Sequence, residues 1–185
     1  MAQIERNIHL ADTLKQCYRD KKVHTIINGF DPDLQNPGAG VSDKFMIVYT
    51  GVLYQGKRDP EPLFQAISEL IKSGKVCSSD VKIQFYGTDD EWLINDIKKY
   101  KLENVIKVCG SISREESILE QRKAQVLLLL TWNHPAEKGV YTGKLFDYLA
   151  ARRPILALGI PGSVIEGLLK SKRQRYRHIE EPPAR

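Results

Sequence analysis

From Lys44 onward, short apolar segments of strand type alternate with segments of helical period, and this alternation limits the fold more than any other feature. FMIVYT (Phe45–Thr50), VKIQFYG (Val81–Gly87), VIKVCG (Val105–Gly110), VLLLLTW (Val126–Trp132) and PILAL (Pro154–Leu158) read as strands. The fourth is almost continuously apolar, so both of its faces must be covered. Between them, Pro60–Ser73 turns Leu63, Ile67, Leu70 and Ile71 to one side. Asp89 or Asp90 starts a helix through Leu93, Ile97 and Tyr100. SREE, Ser113–Glu116, is a capping box on a helix running to Lys123. A last helix is expected from Ser163, its cap, to about Lys172. Strands separated by helices imply a parallel sheet with right-handed crossovers, so the expected class is an α/β, Rossmann-like, doubly wound sheet.

In such sheets ligands bind beyond the carboxyl ends of the strands, where the strand order reverses. If the first and fourth strands of this region are neighbours, the loops GVLYQGKRDP and TWNHPAEKGVYTGK share one crevice. They are the connections richest in glycine and cations, which suits an anionic, nucleotide-like ligand. The second loop runs into GVYTGKLFDYLAARRPILAL, Gly139–Leu158, which reads as loop, helix and buried strand. Thr142 is placed to cap that helix, and Gly139 and Gly143 allow close approach of backbone to a ligand. Free N–H groups at the helix start favour a phosphate, Lys144 adds a full charge, and Asp147 can accept from sugar hydroxyls. Arg153-Pro154 is expected to end the helix. The same residues also fit an ordinary helix start. The stretch is not a P-loop: three residues, not four, separate Gly139 from Gly143, and Leu145 stands where a magnesium-binding hydroxyl belongs. The absence of GxGxxG after the first strand argues against a Rossmann-type oxidoreductase.

Residues 1–43 are of a different kind. Ile4, Ile8, Ala11, Leu14 and Tyr18 fall at helical intervals, so a helix is expected from Ile4 to Tyr18, then a strand from Val23 to Ile27. NGFDPD and NPGAG are turn-rich, giving a linker from Gly29 to Asp43. One helix and one strand close no core, so this segment reads as the remnant of a further domain or as an element packed on the main one. The main domain is expected over 44–172. Residues 173–185 form a basic tail, expected to be disordered, whose charge also suits an anionic membrane surface.

The net charge of +5 fits an anionic ligand but is too small to imply nucleic acid. No run reaches membrane-span length and none reads as a signal peptide, so the expected location is the cytoplasm. Cys17, Cys77 and Cys109 lack metal spacing and read as free thiols, and the four scattered His give no ligand set, so no metal is expected.

The order IINGFDPD, YTGVLYQGKRDP, IQFYG, VIKVCGSISREE, VLLLLTW, KGVYTGKLFDYLAARRPILAL, from about Ile26 to Leu169, resembles the donor-binding half of family 4 (group 1) glycosyltransferases of the GT-B fold. The resemblance implies a retaining transferase that takes a sugar from a UDP- or GDP-sugar and needs no metal. It implies that residues 1–28 end an acceptor domain otherwise absent, so that the fragment alone is inactive. It places Lys57 at the family's diphosphate-binding lysine, with Val52 where an arginine often stands five residues earlier and Arg58 as its substitute. Asp147 falls on the acidic residue that holds the ribose. Gly139, eight residues earlier, stands where the family has an acidic partner, and Glu137 is close to it. Gly110, Ser111 and Ile112 match the stretch whose backbone faces the base. Gly51 opens the first phosphate-facing loop. Lys57 and Arg58, with Lys144 and the amides of Gly139–Gly143, are the expected stabilisers of charge on the leaving phosphate. The resemblance leaves membrane contact at the inner face as an expectation for the full-length protein.

Each of these residues has a plainer role to set beside this one. Lys57, Arg58 and Lys144 also fit solvated cations, and Asp147 a solvent-facing helix residue. His134 fits an incidental loop residue, Trp132 a packing residue, and Glu115 and Glu116 helix-dipole partners. The alternative function is a non-enzymatic α/β module that binds a nucleotide or a protein partner.

Overall fold

The computed structural model describes residues 3–5, 8–26, 29, 40–54 and 56–171. The expected tail, residues 30–39 of the expected linker, and Ile27 lie outside them.

The chain opens with strand β1 (Gln3–Glu5), helix α1 (Ile8–Cys17) and strand β2 (Val23–Thr25). β1 and β2 pair in parallel, Gln3 opposite Val23, as a sheet of their own. This corrects the expectation of a helix from Ile4. The helix starts at Ile8, because pairing with a strand distant in sequence satisfies the backbone of residues 3–5, a tertiary gain that helical periodicity does not register. The expected strand to Ile27 stops at Thr25.

The rest forms one sheet. Strands β3 (Phe45–Thr50), β4 (Val81–Tyr86), β5 (Ile106–Val108), β6 (Val126–Leu130) and β7 (Ile155–Leu158) lie in the order β5-β4-β3-β6-β7, all parallel. Helices α2 (Glu61–Lys72), α3 (Glu91–Lys99), α4 (Arg114–Lys123), α5 (Gly143–Ala151) and α6 (Val164–Ser171) make the connections. β3 pairs with β6, Ile47 opposite Val126, so the first and fourth strands of this unit are neighbours and the order reverses between them.

Alternate residues of each strand feed two cores. On one face Ile47, Tyr49, Ile83, Phe85, Leu128 and Leu130 pack with Leu63, Phe64 and Ile67 of α2 and Leu93 and Ile97 of α3. On the other, Met46, Val48, Leu127 and Leu129 pack with Leu145, Tyr148 and Ala151 of α5 and Ile165 and Leu169 of α6. Each large apolar side chain fully removed from water adds about 1.5–3 kcal/mol, and β6, placed centrally, contributes to both layers.

Helix ends follow local chemistry with two exceptions. Ser113 caps α4 in a full capping box: its Oγ accepts from the Glu116 N–H (3.1 Å), and the Glu116 carboxylate accepts from the Ser113 N–H (2.9 Å). Ser163 Oγ accepts from the Glu166 N–H at the start of α6. Asp90 occupies the cap position of α3 but makes no cap bond; its carboxylate accepts from the Thr88 hydroxyl instead. The second exception is Thr142, at the candidate site. α5 ends at Ala151 with Arg152 left-handed (φ 55°) and Pro154 two residues on, as the Arg153-Pro154 pair implies.

Candidate functional site

Three neighbouring strands finish in glycine. Gly51 follows β3, Gly87 follows β4, and Gly110 lies two residues beyond β5, all with positive φ. Gly51 N–H donates to the Tyr86 carbonyl and Gly87 N–H to the Gly110 carbonyl, each at 2.7 Å. A Cβ at Gly87 would lie 3.0 Å from the Gly51 backbone, so a side chain there would force the two turns apart.

Above this glycine shelf is a cavity of about 500 Å³ lined by Gly51, Ser111, Arg114, Gln121, Lys144 and Asp147 among others. Lys144, in the first turn of α5, is part of its wall. Its Nζ is buried and has no hydrogen-bond partner. It lies 3.7 Å from the centre of the Tyr49 ring, and a Cβ on Gly51 would sit 2.5 Å from it. Burial pushes its ammonium down to about 6, the Arg58 guanidinium reinforces this, and Asp147 opposes it. Asp147, half-buried, has its carboxyl raised by burial, against the pull of Arg114 and Lys144. The floor is a buried polar network. Thr50 N–H donates to the Tyr148 hydroxyl (3.0 Å), and Gln121 Nε2 donates to both Thr50 Oγ1 and Ser117 Oγ (3.1 Å each).

The remaining expected residues are distributed more widely. Arg58 lies over the Tyr54 ring (4.6 Å), and its Nη1 donates to the Val52 carbonyl (3.1 Å), so it is anchored beside the position where the resemblance places an arginine. Arg58 and Thr142 line a smaller hollow of about 310 Å³ with Tyr54, Trp132 and Glu137. Lys57 is exposed, its Nζ 4.6 Å over the Trp132 ring, and it lines a third hollow of about 760 Å³ with Asp59, His134 and Glu137. The loops after β3 and β6 therefore meet, but Lys57 and Asp147 face different hollows. Ser111 joins the first cavity, while Gly110 serves as the hydrogen-bond acceptor of the shelf. Gly139 is buried and lines none of these three hollows.

Thr142 corrects a second expectation. It occupies the cap position of α5, but its hydroxyl makes no cap bond and is buried without a partner. Its extended backbone (φ −75°, ψ 145°) is that of a cap residue, but no first-turn N–H donates to its hydroxyl.

Sequence reasoning missed Arg114, Gln121, Tyr148 and Gly87. Gly87 directly follows a strand, and Arg114 directly follows a recognised cap, so both carried a signal. Gln121 and Tyr148 carried none, because helical period does not say which polar residue faces inward. Among the described residues no cluster of His, Cys, Asp or Glu could hold a metal ion, and no helix is long and apolar enough to cross a membrane.

No family model matches this chain, and no curated protein matches it. Solved structures do. WaaG, a glycosyltransferase involved in lipopolysaccharide biosynthesis, superposes with a TM-score of 0.68 at 12% identity, covering 94% of this chain and 48% of that one. The pneumococcal O-GlcNAc transferase GtfA, in complex with UDP and GlcNAc, gives 0.64 at 16% identity, covering 86% and 30%. An E. coli trehalose-6-phosphate protein bound with UDP-2-fluoro glucose gives 0.65 at 10% identity, covering 84% and 45%. The chain thus spans less than half the length of each. The parallel sheet and its flanking helices have the fold of a GT-B glycosyltransferase half.

Proposed function

We propose that this chain is the donor-binding half of a retaining glycosyltransferase, holding a nucleotide-diphosphate sugar over the glycine shelf. The observation that carries this is the buried, hydrogen-bond-free Nζ of Lys144 beside Gly51 and Asp147. A buried amine without a partner is costly, and a phosphate oxygen would complete it. Asp147, one turn further along α5, would accept from the ribose, and Ser111, which lines the same cavity, would lie beside the base. The UDP in the GtfA complex and the UDP-2-fluoro glucose in the E. coli protein support a UDP-sugar, with a GDP-sugar as the second choice.

Negative charge on the leaving diphosphate would be met by Lys144 and the free N–H groups of α5, with Arg58 nearby. Lys57 enters this scheme only from its neighbouring hollow. The acceptor would belong to a further domain, of which residues 1–28 are the end, so the chain alone would bind donor without transferring sugar. A cytoplasmic enzyme with peripheral membrane contact goes with this scheme.

Titration of the isotope-labelled chain with UDP-glucose and GDP-mannose tests it. Amide shifts are expected at Gly51, Gly87, Ser111 and Asp147 with at least one of them. No shift at these positions with either ligand at saturating concentration overturns the proposal.

A further inference from the structure

Lys144 is unusual in what surrounds it as well as in what it lacks. Its Nζ is closed off from water and bonded to nothing among the described residues. On one side is the face of the Tyr49 ring, on another the bare backbone of Gly51. The ring face favours a cation. The loss of water disfavours it, as does the neighbouring guanidinium of Arg58, itself fixed by the Val52 carbonyl and the Tyr54 ring. Asp147 on the same helix pulls toward the charged form, but its carboxyl is also drawn on by Arg114 at the start of α4. Tyr86 of β4 lines the same cavity, and its own ionisation is pushed up by burial and by Glu120, so it stays neutral. The resting balance favours the neutral amine, consistent with a value near 6. An entering diphosphate changes that balance by bringing negative charge and hydrogen-bond acceptors to a nitrogen that has none.

On the reading that this cavity holds a nucleotide-sugar diphosphate, we propose that Lys144 takes up a proton as the ligand enters, so that binding is coupled to protonation of this one amine. The proton leaves a hydronium ion or buffer acid, whose bond to it breaks, and one N–H bond forms on the Nζ lone pair; nothing is oxidised or reduced. The free site presents no buried charge, and the bound site presents a cation matched to its ligand. Binding therefore favours lower pH, and affinity weakens as pH rises through the range where the free amine is neutral and the bound one charged.

The test is calorimetric titration of the 185-residue chain with UDP-glucose and with GDP-mannose, in buffers of differing ionisation enthalpy. Both ligands are diphosphate diesters, fully ionised across the range, so they bring no titrating phosphate of their own. Near pH 8 about one proton should be taken up per ligand bound, falling toward none at about pH 5. Affinity should weaken about tenfold per pH unit above about 6.5. In Lys144→Arg, whose guanidinium does not release its proton, the uptake and the pH dependence of the remaining affinity should both be lost.

Binding by the unaltered chain without proton uptake overturns the inference and leaves the proposed function standing. Binding of neither ligand overturns both. Uptake that survives in Lys144→Arg also overturns it, because the proton then goes elsewhere. If that variant does not fold, Lys144→Met takes its place: loss of the uptake assigns the proton to Lys144, and uptake that survives there overturns the inference.

Discussion

At the scale of single residues, the site depends on what is absent. Gly51 has φ +122°, and any Cβ there would press on Lys144 Nζ. Gly110 has positive φ too, but open space surrounds the position a Cβ would take. Gly110→Ala should therefore cost only the backbone strain, about 1–2 kcal/mol. Gly51→Ala should cost more, about 2–3 kcal/mol, because the amine must also move. Urea unfolding of the two variants measures the difference. Lys144 makes a second prediction. Its folded value of about 6 lies below the ordinary 10.5, so between these values the unfolded chain holds a proton that the folded chain lacks. Stability attributable to this group therefore rises with pH across that window, by at most about 1.4 kcal/mol per unit, and is level below about 6, where both forms are charged. Lys144→Met should remove this slope and stabilise the chain at neutral pH, as urea unfolding at several pH values would record.

At the scale of elements, helix starts separate position from bonding. α4 begins with a reciprocal capping box, while α5 begins with a threonine whose hydroxyl bonds to nothing. Ser113→Ala should cost about 1 kcal/mol of unfolding free energy, the usual worth of a cap. Thr142→Ala should cost less than about 0.5 kcal/mol, since no cap bond is lost and a buried unpaired hydroxyl is removed. Chemical denaturation of both variants without ligand makes the comparison. Equal losses would mean that the Thr142 hydroxyl does cap α5. Thr142 thus gives the start of α5 no side-chain acceptor, the condition in which a helix N-terminus can receive an anion.

At the scale of the whole molecule, the five-strand sheet and the opening β1–α1–β2 unit are separate pairings. The sheet's own ties begin at Ser42, whose N–H donates to the Lys123 carbonyl, and at Phe45, whose N–H donates to the Asp80 carbonyl. Both cores draw on residues from Met46 onward. A chain beginning at Gly40 should keep the sheet, with its unfolding free energy changed by less than about 1 kcal/mol, as circular dichroism during urea unfolding would report. Loss of cooperative unfolding in that chain would show that the opening unit is part of the same folding unit.

The sequence by itself determined the layered α/β class, the five strands and their helices, and the glycine- and cation-rich loops at one edge. These depend on periods and turn residues, which are local properties of the chain. Only the tertiary structure decided which polar side chains face inward. It paired Gln3–Glu5 with a distant strand, left the Thr142 hydroxyl without a cap bond, and parted Lys57 from Asp147 into different hollows. It also assembled Thr50, Gln121 and Tyr148 into the cavity floor. Such outcomes depend on contacts between residues 71 to 98 positions apart, where burial and hydrogen-bond satisfaction outweigh any preference a residue has among its sequence neighbours.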